Sequence, residues 1–312
     1  MLLTRVMFYA VLALQIFSAN AAYQVTVNQF VRHPALDMAY KGIIEGLRQD
    51  GFIENETITF DYAVAQADMG TSLQIARQQV ALNPDVMVTL STPSAQTTAS
   101  INRRIPMVFS AVSNPQHAGL HLQGNITGVS ALSPIEEQIQ LTREVFPMAT
   151  SIGVLYNPGE DNSRYIVDLL EQSAEKHHFT LIKRAVISST QVSLATKSLI
   201  EDVDLIYLPT DNTVASALPA IIKVAQAQSV PTIGGTIDYV NQGAVMALGF
   251  NFFDNGVQAG HLVAHILSGA KPESLPIQPT KGRELHINSA QLDALNVQLP
   301  KSVQERITKT HY

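Results

Sequence analysis

Short apolar runs alternate along this chain with amphipathic stretches, and one arrangement of the two occurs twice. Leu205-Ile-Tyr-Leu208 has the length and branching of a buried strand. Pro209-Thr-Asp-Asn212 breaks it, and a helix is predicted from Thr213, its first amide groups lacking partners inside the helix. Asp85-Val-Met-Val-Thr-Leu-Ser-Thr-Pro-Ser-Ala-Gln96 repeats the order of strand, Pro-bearing polar turn and helix. Each copy is followed by an X-Pro strand start, Ile105-Pro106 and Val230-Pro231. The pattern predicts an α/β fold of two Rossmann-like lobes with parallel sheets. Ligands of such sheets sit beyond the carboxyl ends of the strands, so two facing lobes enclose a cleft.

The rest of the chain fits that frame. A strand over 23–30 leads to His33-Pro34 and a helix whose Leu36, Ala39, Tyr40, Ile43, Ile44 and Leu47 recur at helical spacing, with Gly51 past its end. A strand over 58–65 is followed by Asp68 as N-cap of a helix over 69–82. Further strands are predicted over 106–112 and 125–131, with a helix opening at Ser133-Pro134 and a passage between lobes near 128–132. A second series begins with a strand over 151–156, a polar turn over 157–163 and a helix to 179. It continues with a strand over 181–187 and a helix over 192–201. Past 231–235 come a strand over 244–250, a helix over about 254–268, an extended crossing over 271–279, and a last strand (284–288) and helix (290–295). The predicted first lobe is 23–130 plus 248–272 and the second is 131–247 plus 273–312, with three passages forming a hinge.

Composition narrows the function. At 312 residues, 46% hydrophobic and 15% charged, the chain fills two cores and is not disordered. A net charge of -6 with no basic run longer than Arg103-Arg104 argues against nucleic acid. Arg5, the apolar stretch over 6–17 and the small residues Ser18 to Ala22 read as a secretory signal peptide, 1–22. Without Arg5, 19 basic residues face 26 acidic ones, a net of -7. The absence of cysteine excludes disulfides, thiolate catalysis and a lipid-bearing cysteine. A free periplasmic protein is the expected product.

Gln29 with His33-Pro34-Ala35-Leu36-Asp37, Thr92-Pro93-Ser94-Ala95-Gln96, Leu155-Tyr-Asn-Pro-Gly-Glu160, Pro209-Thr-Asp-Asn-Thr-Val214 and Ala247-Leu-Gly-Phe250 stand in order along the chain. In these motifs the sequence resembles the tryptophan/tyrosine-type substrate-binding proteins of ABC transporters, over essentially all of its length past the signal. Many relatives carry a lipoprotein cysteine at the cleavage site, which this chain lacks. The resemblance implies a type I periplasmic-binding fold, an amino acid ligand that tends to be aromatic, and delivery to a membrane permease driven by a cytoplasmic ATPase.

For such a ligand, the amides opening a helix at Ser94-Ala95, beside Thr92 and Pro93, suit a carboxylate, since helix N-termini bind anions. Equally, Ser94 could only cap that helix. Asp211 is the expected ammonium partner, against an ordinary N-cap role, with Asp238 and Glu160 as further acceptors. Asn157, Ser163 and Asn212 share that edge, and Gln29, His33 and Asn114 the opposite one. Of the aromatic residues near strand ends (Phe30, Phe109, Tyr156, Tyr207, Tyr239 and Phe250), Tyr239 is the choice for the cleft wall. His261 and His265 have chelating spacing but fall on a solvent face with no third ligand. Without a Walker loop, Gly-x-Gly-x-x-Gly or Gly-x-Ser-x-Gly, neither cofactor nor metal is expected. The expectation is a monomeric binding protein. A sensor subunit for a receptor kinase, and less favourably a small-molecule enzyme, are the alternatives.

Overall fold

The computed structural model describes residues 22–122 and 124–312, so the expected signal peptide lies almost wholly outside the described residues. The first sheet grows from β1 (Tyr23–Gln29), α1 (Pro34–Gln49), β2 (Ile58–Val64), α2 (Met69–Leu82), β3 (Val86–Leu90), α3 (Thr92–Ile101), β4 (Met107–Val112) and β5 (Ile126–Ser130). The chain then enters a second sheet through α4 (Ile135–Val145), β6 (Ser151–Tyr156), α5 (Asp161–Lys176), β7 (Thr180–Ala185), α6 (Ser189–Leu199) and β8 (Leu205–Leu208). The short α7 (Asn212–Ala215), α8 (Leu218–Ala227), β9 (Thr232–Gly234) and β10 (Met246–Gly249) follow. α9 (Phe252–Leu267) packs back on α1, β4 and β5, and β11 (Gln278–Pro279) pairs with β5. β12 (Glu284–Asn288), α10 (Ser289–Ala294), α11 (Lys301–Gln304) and β13 (Lys309–His311) finish the second sheet.

Sheet orders are β11-β5-β4-β3-β1-β2 and β13-β12-β10-β9-β8-β6-β7, parallel throughout except where β12 runs against β10. In each sheet the order reverses beside the first strand, between β1 and β3 and between β6 and β8. Those crevices are where a doubly wound sheet binds its ligand. The central strands are buried on both faces (all five residues of β3, all four of β8), so they read as apolar runs rather than alternations.

Several sequence expectations need correction. α3 begins at Thr92 instead of Ser94. The helix expected from Thr213 is two helices, because Pro219 in the first turn of α8 cannot continue α7. α9 begins two residues early, with the Asn251 side chain accepting from Asp254 N at 2.7 Å as its cap. Residues 248–249 belong to β10 in the second sheet, and 278–279 to the first. The last crossing is therefore 280–283, later than expected. β11 and β13, two and three residues long, give no periodic signal in the sequence.

Two features hold the first lobe and its hinge. α1 and α9 touch along glycines: a Cβ on Gly256 would lie 2.0 Å from Ala39 O, and one on Gly42 2.1 Å from Phe253 O. Asn255 ties three segments near the hinge. Its Oδ1 accepts from Ser110 Oγ (2.6 Å) and Ala111 N (2.9 Å), while Nδ2 donates to Ser130 O (3.3 Å) and Thr280 Oγ1 (2.5 Å).

Candidate functional site

Both crevices open onto one cavity between the lobes. From the first lobe His33, Leu36, Ser91, Ala111, Ser113, Ala131 and Phe252 line it, and from the second Asn162, Thr210, Asp211, Asn212, Ala215 and Tyr239. Its volume is ≈ 20 Å³, about one water molecule. As it stands, the cavity is too small to hold an amino acid.

His33 is set by the start of α1. Leu36 N–H donates to its Nδ1 (3.4 Å), which leaves the ring proton on Nε2. That nitrogen is buried without a partner. Burial pushes the imidazole down to about 4, against the pull of the Asn212 side chain and Asp37, so it is neutral at physiological pH. Across β3, Ser91 takes φ +89°, which turns the chain abruptly into α3 and faces the Ser91 side chain to the cavity. Pro93 has no N–H, and the N–H groups of Thr92 and Ser94 find no acceptor among the described residues. Ser91 Oγ and Thr92 Oγ1 are likewise buried and unpaired.

The second lobe presents acid. Asp211 caps α7 through Oδ1, which accepts from Val214 N (2.8 Å), while Oδ2 accepts from Asn157 N (2.7 Å) and Ser163 Oγ (2.5 Å). Burial, with the negative charge of Glu160 beside it, pushes this carboxyl up to about 7. Glu160 is fully engaged: Asn212 N and Nδ2, Thr213 N and Oγ1, and Asn162 Nδ2 all donate to it. It fills the α7 N-terminus as a bound anion would, and so pins α5 to α7. Among the described residues neither Asp211 nor Glu160 has an ion-pair partner. A buried acid pair of this kind favours an incoming cation.

Of the residues expected at the site, His33, Asp211, Asn212 and Tyr239 line the cavity, with the Tyr239 hydroxyl donating to Pro209 O (3.3 Å). Thr92 follows the cavity-lining Ser91 in the chain. Others do not reach the cavity. Gln29 Nε2 donates to Val31 O and Asp37 Oδ1 (both 2.8 Å), fixing the approach to α1. Ser94 Oγ turns to Asn28 Oδ1 (3.3 Å) inside the lobe, so it neither caps α3 nor faces the cleft. Ala95 sits in an apolar core and Pro93 is buried in the first turn of α3. Asn114 closes its own turn by accepting from Gln116 N and His117 N. Asn157 and Ser163 serve Asp211, and Glu160 serves α7. Asp238 Oδ2 accepts from Phe252 N (2.8 Å), bracing the passage into α9, and burial raises its carboxyl. Phe30, Phe109, Tyr207 and Phe250 are core residues. Nothing in the sequence marks Ser91, Asn162, Thr210 and Phe252, which also line the cavity. The Pro-bearing turns pointed to their neighbourhood, but not to their direction.

Two doubly wound lobes, three passages between them and a shared polar cavity define a type I periplasmic-binding architecture, the frame of a solute-binding protein. The family described as ABC transporter substrate binding protein matches residues 24–311. A tyrosine-binding protein of Clostridioides difficile (strain R20291) is 34% identical over 279 residues, which span 88% of this chain and 81% of that protein. The structure of an ABC domain in complex with L-Trp from Streptococcus pneumonia is 30% identical, covers 93% of this chain and 100% of its own, and has a TM-score of 0.88. The ligand-free, open structure of CD0873, a substrate binding protein with adhesive properties from Clostridium difficile, is 32% identical. It covers 93% of this chain and 99% of its own, with a TM-score of 0.68. The chain belongs to the ABC transporter substrate-binding family. Among the described residues no helix is long and apolar enough to cross a membrane.

Proposed function

We propose that this protein captures an α-amino acid, with an aromatic side chain, between its lobes in the periplasm and presents the closed complex to a membrane permease. The observation that carries this is the distribution of unpaired polar atoms. Among the described residues eight buried side-chain N and O atoms lack a hydrogen bond; four line the cavity (His33, Ser91, Asn162 and Thr210) and a fifth, on Thr92, follows Ser91 in the chain. Native interiors leave few such groups, so their concentration at one place points to a polar solute that completes them. The free amides of Thr92 and Ser94 and the Ser91 hydroxyl receive the carboxylate. Asp211, with one acceptor position left and no cation beside it, receives the ammonium. Leu36, Ala131, Ala215, Tyr239 and Phe252 supply walls for an aromatic ring.

The relatives support this reading, one named for tyrosine and one solved with L-Trp. Lobe closure is supported by the fit of 0.88 to that complex against 0.68 to an open, ligand-free relative of similar identity. Thermal unfolding of protein stripped of carried-over ligand, with each of the twenty amino acids, sugars and small peptides, tests the assignment. A solute at about 100 times its Kd stabilises by about 2.7 kcal/mol, which raises the melting point by several degrees. The expected rise is confined to aromatic amino acids; a rise with sugars alone overturns the reading.

A further inference from the structure

We propose that His117 and Asp161 form a clasp across the rim of the cleft that holds the lobes shut, and that protonation of His117 tightens it. His117 stands in the turn after β4 on the first lobe, four residues beyond the cavity-lining Ser113. Asp161 opens α5 on the second lobe, next to the cavity-lining Asn162. His117 Nε2 lies 3.4 Å from Asp161 Oδ1, and its ring overlies that of Tyr165 one turn along α5, with centroids 5.2 Å apart and planes at 33°. Both contacts join side chains of different lobes, so parting the lobes breaks both.

Each partner is held in place from its own side. Asn114 Oδ1 accepts from His117 N (3.0 Å) and fixes the turn that carries the ring. Arg164 Nη2 donates to Asp161 Oδ1 (2.8 Å), and its Nη1 anchors to Pro158 O (2.6 Å). The charged and titratable groups facing His117 are therefore Asp161, Arg164 and Tyr165 from α5, with His121 following in its own segment. α3, which packs on that segment, carries no charged side chain. Asp161 Oδ1 is thus shared between His117 Nε2 and Arg164 Nη2. With side chains 49% and 16% exposed, the pair is a rim contact screened by water. Such a pair changes the closed-to-open ratio by roughly two- to five-fold. The gain needs a charged imidazole, so it belongs to acid pH.

The clasp rests on the reading that solute capture shuts the lobes, but not on which solute does so. The chain has no cysteine, so Gln78→Cys on the first lobe and Glu175→Cys on the second accept a fluorescent donor and acceptor. Energy transfer is then measured from pH 5.5 to 8, without solute and with sub-saturating L-tryptophan, in otherwise wild-type protein and in His117→Gln, Asp161→Asn and the double variant. The expected result is a closed-to-open ratio two- to five-fold higher for wild type than for either single variant at pH 5.5. The difference fades by pH 8, and the double variant loses no more than a single one. A His117→Gln profile parallel to wild type at every pH overturns the clasp. So does a double variant that loses the sum of the singles, or a wild-type closed fraction undetectable below pH 6. If L-tryptophan leaves energy transfer unchanged while the pH-dependent difference persists, the amino acid assignment fails and the clasp stands.

Discussion

Asp211 ties solute affinity to pH. Its carboxyl is pushed up to about 7 from an ordinary 3.8 by burial and by Glu160. At 1.36 kcal/mol per pH unit, that gap corresponds to about 4 kcal/mol favouring the protonated form in the empty, closed cleft. The figure is a ceiling, because parting the lobes admits water. The acid's folded value is raised, so its stabilising contribution is complete below 3.8 and lost as pH rises through about 7. An ammonium seated on Asp211 favours the carboxylate and lowers its value by about 1–3 pH units. Binding then expels a proton, and affinity tightens as pH rises toward 7, by at most about ten-fold per pH unit and about 10–100-fold between pH 5 and 8. The His117 clasp acts in the opposite direction and more weakly. Calorimetric titration of L-tryptophan at pH 5, 6, 7 and 8, in two buffers of different ionisation enthalpy, measures both the affinity and the released proton. Asp211→Asn should bind weakly and keep only the small, opposite pH dependence of the clasp. A wild-type Kd unchanged from pH 5.5 to 8, with the same enthalpy in both buffers, refutes the pairing of Asp211 with an ammonium.

Other outcomes follow from single contacts. Gly256→Ala sets a methyl 2.0 Å from Ala39 O and forces α1 and α9 apart, at a cost of about 3 kcal/mol. Calorimetry should show a melting point lower by roughly 6–12 °C, and a change under about 2 °C contradicts the close packing. Glu160→Gln turns an amide donor toward N–H groups of α7, and urea unfolding should show a loss of about 3 kcal/mol. With that charge gone, the pH profile of binding should move to lower pH. Ser91→Ala removes a buried hydroxyl that has no partner in the protein, so stability should stay within about 0.5 kcal/mol while L-tryptophan binds about five-fold more weakly. Equal loss of both marks Ser91 as merely structural.

Elements with local causes were legible in the sequence. β6 and β8 lie between unmistakable breakers, and α2 starts where Asp68 caps it, with Thr71 N donating at 2.6 Å. The two Pro-bearing turns also pointed to the crevices that open onto the cavity, and to Asp211 and Asn212. What remained hidden depends on distant partners. Glu160 looks like a free acid until α7, 52 residues on, supplies its donors. Asp238 finds its donor in Phe252, 14 residues on, across the passage into α9. Ser91 rather than Ser94 faces the cavity because of a positive φ that no periodicity encodes. Phe252 looks like the start of a helix, and its role as a wall arises from the lobe it returns to.

Binding of ligands that each lack one end of the amino acid tests the central claim most directly. Kd values for L-tryptophan, tryptamine and indole-3-propionic acid, measured at pH 7.5, separate the two anchors from the ring. With the carboxylate on the amides of α3 and the ammonium on Asp211, each deletion should weaken binding by at least about 2 kcal/mol, or some thirty-fold. Asp211→Asn should then weaken L-tryptophan strongly but indole-3-propionic acid little. Equal affinity for all three indoles contradicts the account.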